Sequence, residues 1–186
     1  MKITTPNEIN ETVKSFYESI VKDGKTVFLD LKSEPDAVEL YCTENVEKKI
    51  KRDGGKVQYG WQIMITEPVF IEAQFHVVWV DKDNDMHDIT PRQDKDTGKI
   101  LFLPDSNLKY ENKQINNIRK ALVKDKMVDD FIETSDRYFE ATNRGDLALK
   151  HGMITSNDVT PEHAREIEIL QMEMARLWMC IDSKYS

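Results

Sequence analysis

The stretch from Ile71 to Pro91 reads IEAQFHVVWVDKDNDMHDITP, and its pattern decides how the middle of the chain folds. Every second residue from Ile71 to Trp79 is apolar: Ile71, Ala73, Phe75, Val77 and Trp79. A period of two belongs to a β-strand that turns one face to a core. Between these positions stand Glu72, Gln74 and His76, then Val78 and Val80. The charged run DKDND, Asp81 to Asp85, turns the chain into a short strand through Ile89. If residues 82–84 form the loop, His76 pairs with Thr90 and Val78 with Asp88. His76 and Asp88 are then diagonal neighbours on one face, with backbones about 7–8 Å apart, a span that long side chains bridge. A slightly longer loop sets them directly opposite. Any even register keeps both on the polar face and an odd one separates them; the sequence leaves the loop length open.

Working outward, Val57, Tyr59, Trp61, Ile63 and Ile65 repeat the alternation, and Glu67-Pro68 turns that strand into the next. KILFLPD, Lys99 to Asp105, predicts a fourth strand. Such a sheet needs a covering layer on its apolar face. Helices supply it on the N-terminal side. Thr5 and Pro6 fit the cap and first position of a helix carrying Ile9, Val13, Phe16, Tyr17 and Ile20. TVFLDL, Thr26 to Leu31, reads as a short strand or an extended lead-in. Ser33-Glu34-Pro35 opens a second helix, with Val38, Tyr41, Cys42, Val46 and Ile50 on one face and Asp53-Gly54-Gly55 at its end. From about Asn112 the spacing turns helical: Ile115, Ile118, Leu122 and Val123, then Val128, Phe131, Ile132, Tyr138 and Phe139. Thr160-Pro161-Glu162 starts a final helix. The expected architecture is α+β: an antiparallel sheet of three to four strands packed on N-terminal helices, with a helical C-terminal third. Residues 1–110 form the core domain and 111–186 a helical region packed on it.

Composition narrows the function. The 186 residues are 39% hydrophobic and 32% charged, with a net charge of −8, which fits a polar globular chain. Gripping a nucleic acid backbone needs local Lys and Arg, so the acidic balance argues against that partner; EKKIKR, Glu47 to Arg52, is a small basic patch. Two cysteines, Cys42 and Cys180, are too few for a disulfide framework. The N-terminus shows no signal-like apolar run and no stretch approaches the ~20 residues of a membrane span. A reducing cytoplasm with free thiols is therefore expected.

Three residues point to chemistry. Cys42 lies on the helix before the sheet, and His76 with Asp88 share the hairpin face. A thiol becomes a nucleophile when an imidazolium or a helix N-terminus holds it as thiolate. An aspartate that orients the imidazole completes the nucleophile, base and orienter set. Gln58, Gln62, Gln74 and Asn45 are candidates to contact substrate or donate to an oxyanion. His87 has the opposite parity from Asp88 and is the fallback base.

Cys42 in CTENV, His76 in FHVVW and Asp88 in HDITP follow the order and element types of a known family. Over about residues 36–105 the chain resembles the transglutaminase-like branch of the papain-like superfamily, to which arylamine acetyltransferases are similar. The resemblance implies a catalytic Cys at a helix start, with His and Asp on neighbouring strands. It implies peptidase, amidase, deamidase or acyl-transfer activity. The expected start of this helix at Ser33-Glu34-Pro35 departs from that pattern, because Cys42 then loses the help of the helix dipole unless Pro35 to Leu40 form a separate short turn.

Other chemistries find less support. His76 and His87 face opposite sides, no H-E-x-x-H occurs, and His151 and His163 lie far along the chain, so no metal is expected. Asp81, Asp83 and Asp85 mimic a calcium loop, yet no glycine or closing glutamate follows. No cofactor is expected. The expected partner is a peptide or small acyl substrate. The rival reading is a non-enzymatic acidic binding module or inhibitor that uses the polar sheet face or the C-terminal helices to meet a protein partner.

Overall fold

The Ile71 stretch is a strand, and the strands around it wrap into a nearly closed sheet. The computed structural model describes residues 1–92 and 98–186. The chain divides into two units: residues 3–65 with 71–109, and residues 110–186 with 1–2 and 66–70.

The first unit holds helices α1 (Glu11–Ile20) and α2 (Cys42–Asp53). Its strands are β1 (Val27–Asp30), β2 (Lys56–Thr66), β3 (Phe70–Val80), β4 (Met86–His87) and β5 (Lys99–Pro104). Their order is β1-β5-β2-β3-β4. The α+β class stands, but five strands in this path exceed the three to four expected. Thr26 to Leu31 contains a true strand because β5 offers a partner: Val27 faces Phe102 and Leu29 faces Ile100. Beyond β1 the chain runs beside the end of β4. Leu31 bridges Asp88 in parallel, Lys32 N donates to Asp88 O (2.8 Å) and Glu34 N donates to Ile89 O (3.2 Å). The first and last strands of the path are thus joined.

Closure changes what the two faces of β3 mean. One face was expected to be polar and solvated. It looks instead into the curl of the sheet, where Val78 packs with Leu29, Ile100 and Phe102. The opposite face carries Phe75, Val77 and Trp79 and is covered by α2 through Val46 and Ile50. Each fully buried valine here contributes about 1.5–3 kcal/mol relative to exposure. Close approach of β2 to β5 depends on Gly60: a Cβ there would stand 2.3 Å from Leu103 O and 2.6 Å from the Phe102 ring.

Both expected N-terminal helix starts are displaced. Thr4 exchanges two backbone hydrogen bonds with Ile65 (2.9 and 2.8 Å), so Thr4 to Pro6 is extended. The helix begins at Glu11, where the Asn10 side chain accepts from Val13 N (3.0 Å). The second helix begins at Cys42, not at Ser33-Glu34-Pro35. Residues 34–41 instead form two tight turns, Ala37 N to Glu34 O and Tyr41 N to Val38 O.

The second unit holds β6 (Ile118–Ala121), α3 (Lys126–Thr142), a 3-10 turn (Gly145–Lys150) and α4 (Pro161–Tyr185). The helical stripe expected from Asn112 is another correction: the chain there is extended, and Leu122 N donates to Val69 O (2.8 Å). Helix α3 starts only at Lys126, capped by Asp125. Thr160 caps α4 with Pro161 at its first turn. Val69, Phe70, Val128 and Ile181 form this unit's core. Among the described residues no helix is long and apolar enough to cross a membrane.

Candidate active site

The β3–β4 turn decides where His76 and Asp88 meet. Trp79 pairs with His87 and Val80 with Met86, the register of the residue 82–84 loop. Asp81 builds the turn: Asp81 N donates to Asp85 O (3.0 Å), and its carboxylate accepts from Asp83 N and Asp85 N. His76 Nε2 then lies 3.0 Å from Asp88 Oδ1. Both side chains are buried, His76 at 8% and Asp88 at 0% exposure. Asp88 Oδ1 also accepts from Thr90 N (3.3 Å), which fixes the carboxylate.

With Nε2 on Asp88, the ring's Nδ1 is left for Cys42, whose thiol is hydrogen-bonded to His76. The approach is open because β4 is only two residues long. The edge of β3 below Trp79 therefore meets the start of α2, where the Val77 backbone N–H favours the charged form of the Cys42 thiol. Cys42 occupies the first helical position, where N–H groups lack intrahelical acceptors and the helix dipole favours an anion.

Electrostatics follow from this geometry. Burial pushes the Cys42 thiol up, but the His76 hydrogen bond and charge, the Val77 N–H and the Thr43 side chain more than offset it, and the thiol lies below its ordinary range. For His76, burial opposes the charged ring, while the Asp88 charge and hydrogen bond and the Cys42 thiol favour it. The net shift is upward. The two shifts have one source: the ring beside the thiol and the carboxylate beside the ring each favour the charged form of their neighbour.

The oxyanion candidates separate. Gln58 donates to Tyr59 O (2.7 Å), and Gln74 donates to Glu72 Oε1 (2.8 Å). Asn45 spends its amide on structure: Oδ1 accepts from Val38 N (2.9 Å), and Nδ2 donates to Val38 O (2.7 Å) and Thr90 Oγ1 (3.2 Å). Of the four, Gln62 has a buried Nε2 without a hydrogen-bond partner among the described residues. A cavity of about 240 Å³ is lined by Cys42, His76, Gln62, Gln74, Phe75 and Thr90, among others. His87 lies elsewhere, 2.9 Å from Asp81 Oδ2 and against the Trp79 ring. Among the described residues no group of three or more His, Cys, Asp or Glu side chains could hold a metal. Of the sheet face that the rival reading uses, Gln62, His76, Asp88 and Thr90 are buried and Gln58 and Gln74 are half-buried.

Sequence reasoning missed the clamp made by Asn45 and the part played by Thr90. One signal was available: Asn is a poor helix-interior residue that favours local backbone partners, and it stands three residues after Cys42. No family model, curated protein or solved structure matches the chain.

Proposed function

We propose that this protein is an enzyme that uses Cys42 as a nucleophile on an amide or other acyl compound. The observation that carries this reading is the convergence of the Cys42 thiol, the His76 ring and the Asp88 carboxylate at the first turn of α2, beside a cavity. The Cys42 sulfur attacks the carbonyl carbon, and the C=O electron pair moves to oxygen. Collapse breaks the bond to the leaving group, which takes a proton from His76. Water or an amine then attacks the thioester and gives its proton to His76, releasing product and free Cys42. Asp88 holds the ring and supports its charge throughout.

This order of roles is that of the transglutaminase-like branch of the papain-like superfamily, which the chain resembles. Cys42 opening its helix supports the same assignment. Peptidase, amidase, deamidase and acyl-transfer activities all fit a cavity of about 240 Å³, which suits one side chain or a short acyl group. Free thiols suit a reducing cytoplasm. The rival binding reading keeps one support, the exposed Ile169, Met172 and Met179 on α4.

Alkylation of the folded protein with iodoacetamide, read by mass at each cysteine, tests the enzyme reading. Cys42 should be modified at pH 6 well ahead of the exposed Cys180, and His76→Gln should abolish the difference. Equal rates at both cysteines, or indifference to His76→Gln, would sink it.

A further inference from the structure

We propose that the outer face of α4 pairs with the same face of a second copy of this protein, the two helices running antiparallel about a two-fold axis at Met174. None of the residues involved belongs to the candidate active site, and the proposal does not depend on Cys42 being a nucleophile.

Helix α4 runs for 25 residues and buries Leu170, Leu177 and Ile181 on one side. Its other side carries a second pattern. Arg165, Ile169, Met172, Arg176, Met179 and Ser183 follow one another at steps of four, three, four, three and four. This alternation is the 3.5-residue repeat of a coiled-coil seam. At about 100° per residue the six fall within about 80° of arc, centred about 140° from the three buried residues. All six are exposed; Ile169 is 58%, Met172 65% and Met179 64% exposed. A helix that packs by one side needs no apolar stripe on the other, and an exposed stripe rimmed by charge marks an interaction surface.

The two arginines in the seam select the partner and its direction. A parallel pair stacks like on like, so Arg165 meets Arg165 and Arg176 meets Arg176, and such like-charge contacts are costly. An antiparallel pair has one register that uses all six positions. Ile169 then faces the partner's Met179, Met172 faces the partner's Arg176, and Arg165 faces the partner's Ser183. A slide of one heptad in one direction opposes Arg165 with the partner's Arg176. The opposite slide sets Ile169 against the partner's Ser186, past the last turn of α4. In the favoured register Glu173 and Arg176 lie within about 3 Å of the axis along the helix, at about 1.5 Å per residue. Arg176 already donates to both carboxylate oxygens of Glu173 (2.8 and 2.6 Å). Two such pairs about one axis make a ring of alternating charge, and the stem of each Arg176 lies on the partner's Met172. The seam is thus complementary to itself, which a two-fold contact requires.

Sedimentation equilibrium from about 5 to about 500 µM tests the pairing, a range suited to the weak dimer that one helix per copy makes. The mass should rise from monomer toward dimer. Met172→Glu should raise the dissociation constant about tenfold or more, because a two-fold contact carries each substitution twice. Glu173→Arg should weaken association similarly, and Glu173→Arg with Arg176→Glu should restore it by rebuilding the alternating ring. Cross-linking reads the register. In a chain carrying Cys42→Ser and Cys180→Ser, Ile169→Cys together with Met179→Cys should give covalent dimers on oxidation with copper–phenanthroline. Either substitution alone should not, because the two Ile169 positions stand about 15 Å apart along the helix pair. These positions are exposed, so melting temperatures should stay near wild type. The cross-link adds no charge and decides the question even if Met172→Glu unfolds. A monomer throughout the series overturns the proposal and leaves the seam to a helix of another protein. A dimer indifferent to Met172→Glu overturns it too, as do single variants that cross-link as readily as the double one.

Discussion

Asn45 Nδ2 donates to Thr90 Oγ1 across 3.2 Å, and this bond ties the helix that carries Cys42 to the segment that carries Asp88. Thr90 N in turn donates to Asp88 Oδ1 (3.3 Å), which meets His76 Nε2 (3.0 Å). The same Asn45 amide grips both backbone groups of Val38, so the loop before Cys42 cannot wind into helix. One side chain therefore ends the loop, starts the helix and aligns nucleophile with base.

Replacing Asn45 should damage fold and site together. Asn45→Ala deletes three hydrogen bonds at a buried position, each with a net worth of about 1 kcal/mol, so a loss of about 2–4 kcal/mol is expected in urea denaturation. Asn45→Asp keeps the acceptor for Val38 N but loses both donors, and should fall between. Iodoacetamide modification of Cys42 should slow in both variants as the helix start shifts away from His76. A stability change under about 0.5 kcal/mol, the range of an ordinary surface substitution, would show that the clamp has no such role.

The pH dependence of alkylation should differ in shape between the two cysteines. The Cys42 thiol lies below its ordinary range, so its thiolate persists at pH values where an ordinary exposed thiol is protonated. Its rate should fall less steeply from pH 9 to pH 6 than that of an ordinary exposed thiol. Intrinsic nucleophilicity falls with thiol pKa, so at pH 9 the exposed Cys180 should approach or pass it. Crossing curves are the expected signature. Parallel curves would mean that Cys42 differs only in access.

Local signals in the sequence carried some of this arrangement and not the rest. The meeting of His76 with Asp88 was legible only in part: the period of two puts both on one face in any even register, but the register itself is chosen by the turn that Asp81 closes on Asp83 and Asp85. Sheet closure was not: it rests on Leu31 bridging Asp88, a pair far apart in sequence with no pattern to mark it. Without closure the His76 face reads as solvated, whereas His76 and Asp88 are buried. The start of α2 was hidden because Ser33-Glu34-Pro35 is a sound local helix signal, overridden by the tertiary grip of Asn45 on Val38. The stripe from Ile115 to Val123 misled likewise: few apolar residues match both periods, and backbone pairing of Leu122 with Val69 decided for the extended form.

Burial of the His76–Asp88 pair sets its stability signature. Asp88→Leu or His76→Leu alone strands a buried polar partner, and each should cost about 3–5 kcal/mol. Joint replacement by leucines should recover much of that loss, because two apolar side chains leave no buried charge. The pH dependence has a definite sign. His76 is shifted upward, so its contribution is fully present below the ordinary imidazole value of about 6.5 and is lost as pH rises through the higher folded value. Cys42 is shifted downward, so its contribution is present above the ordinary thiol range and is lost as pH falls through the folded value. Wild-type stability should therefore sag at both ends of a pH series in urea, and the double leucine variant should lack the high-pH sag. Additive losses in the double variant would refute the pairing.

The last prediction concerns Leu40, two residues before the nucleophile. Its φ of 67° lies in the left-handed region, and its side chain is 86% exposed. A left-handed conformation costs a residue with a bulky side chain about 1–2 kcal/mol, and exposure returns nothing from burial. Strain of this kind persists where the surroundings over-determine the backbone, here the grip of Asn45 on Val38 and the helix start at Cys42. Asparagine tolerates the left-handed region, so Leu40→Asn should stabilise the protein by about 1 kcal/mol, which for a chain of this size raises Tm by about 2–4 °C. Leu40→Val should destabilise it, because a β-branched side chain fits that backbone worst. Iodoacetamide reactivity of Cys42 should survive Leu40→Asn, since the backbone path into α2 is kept. The ranking Asn above Leu above Val in thermal unfolding is what the strain argument requires. If valine matched leucine, or asparagine fell below it, the turn would owe its shape to contacts of the Leu40 side chain and not to the clamp beneath it.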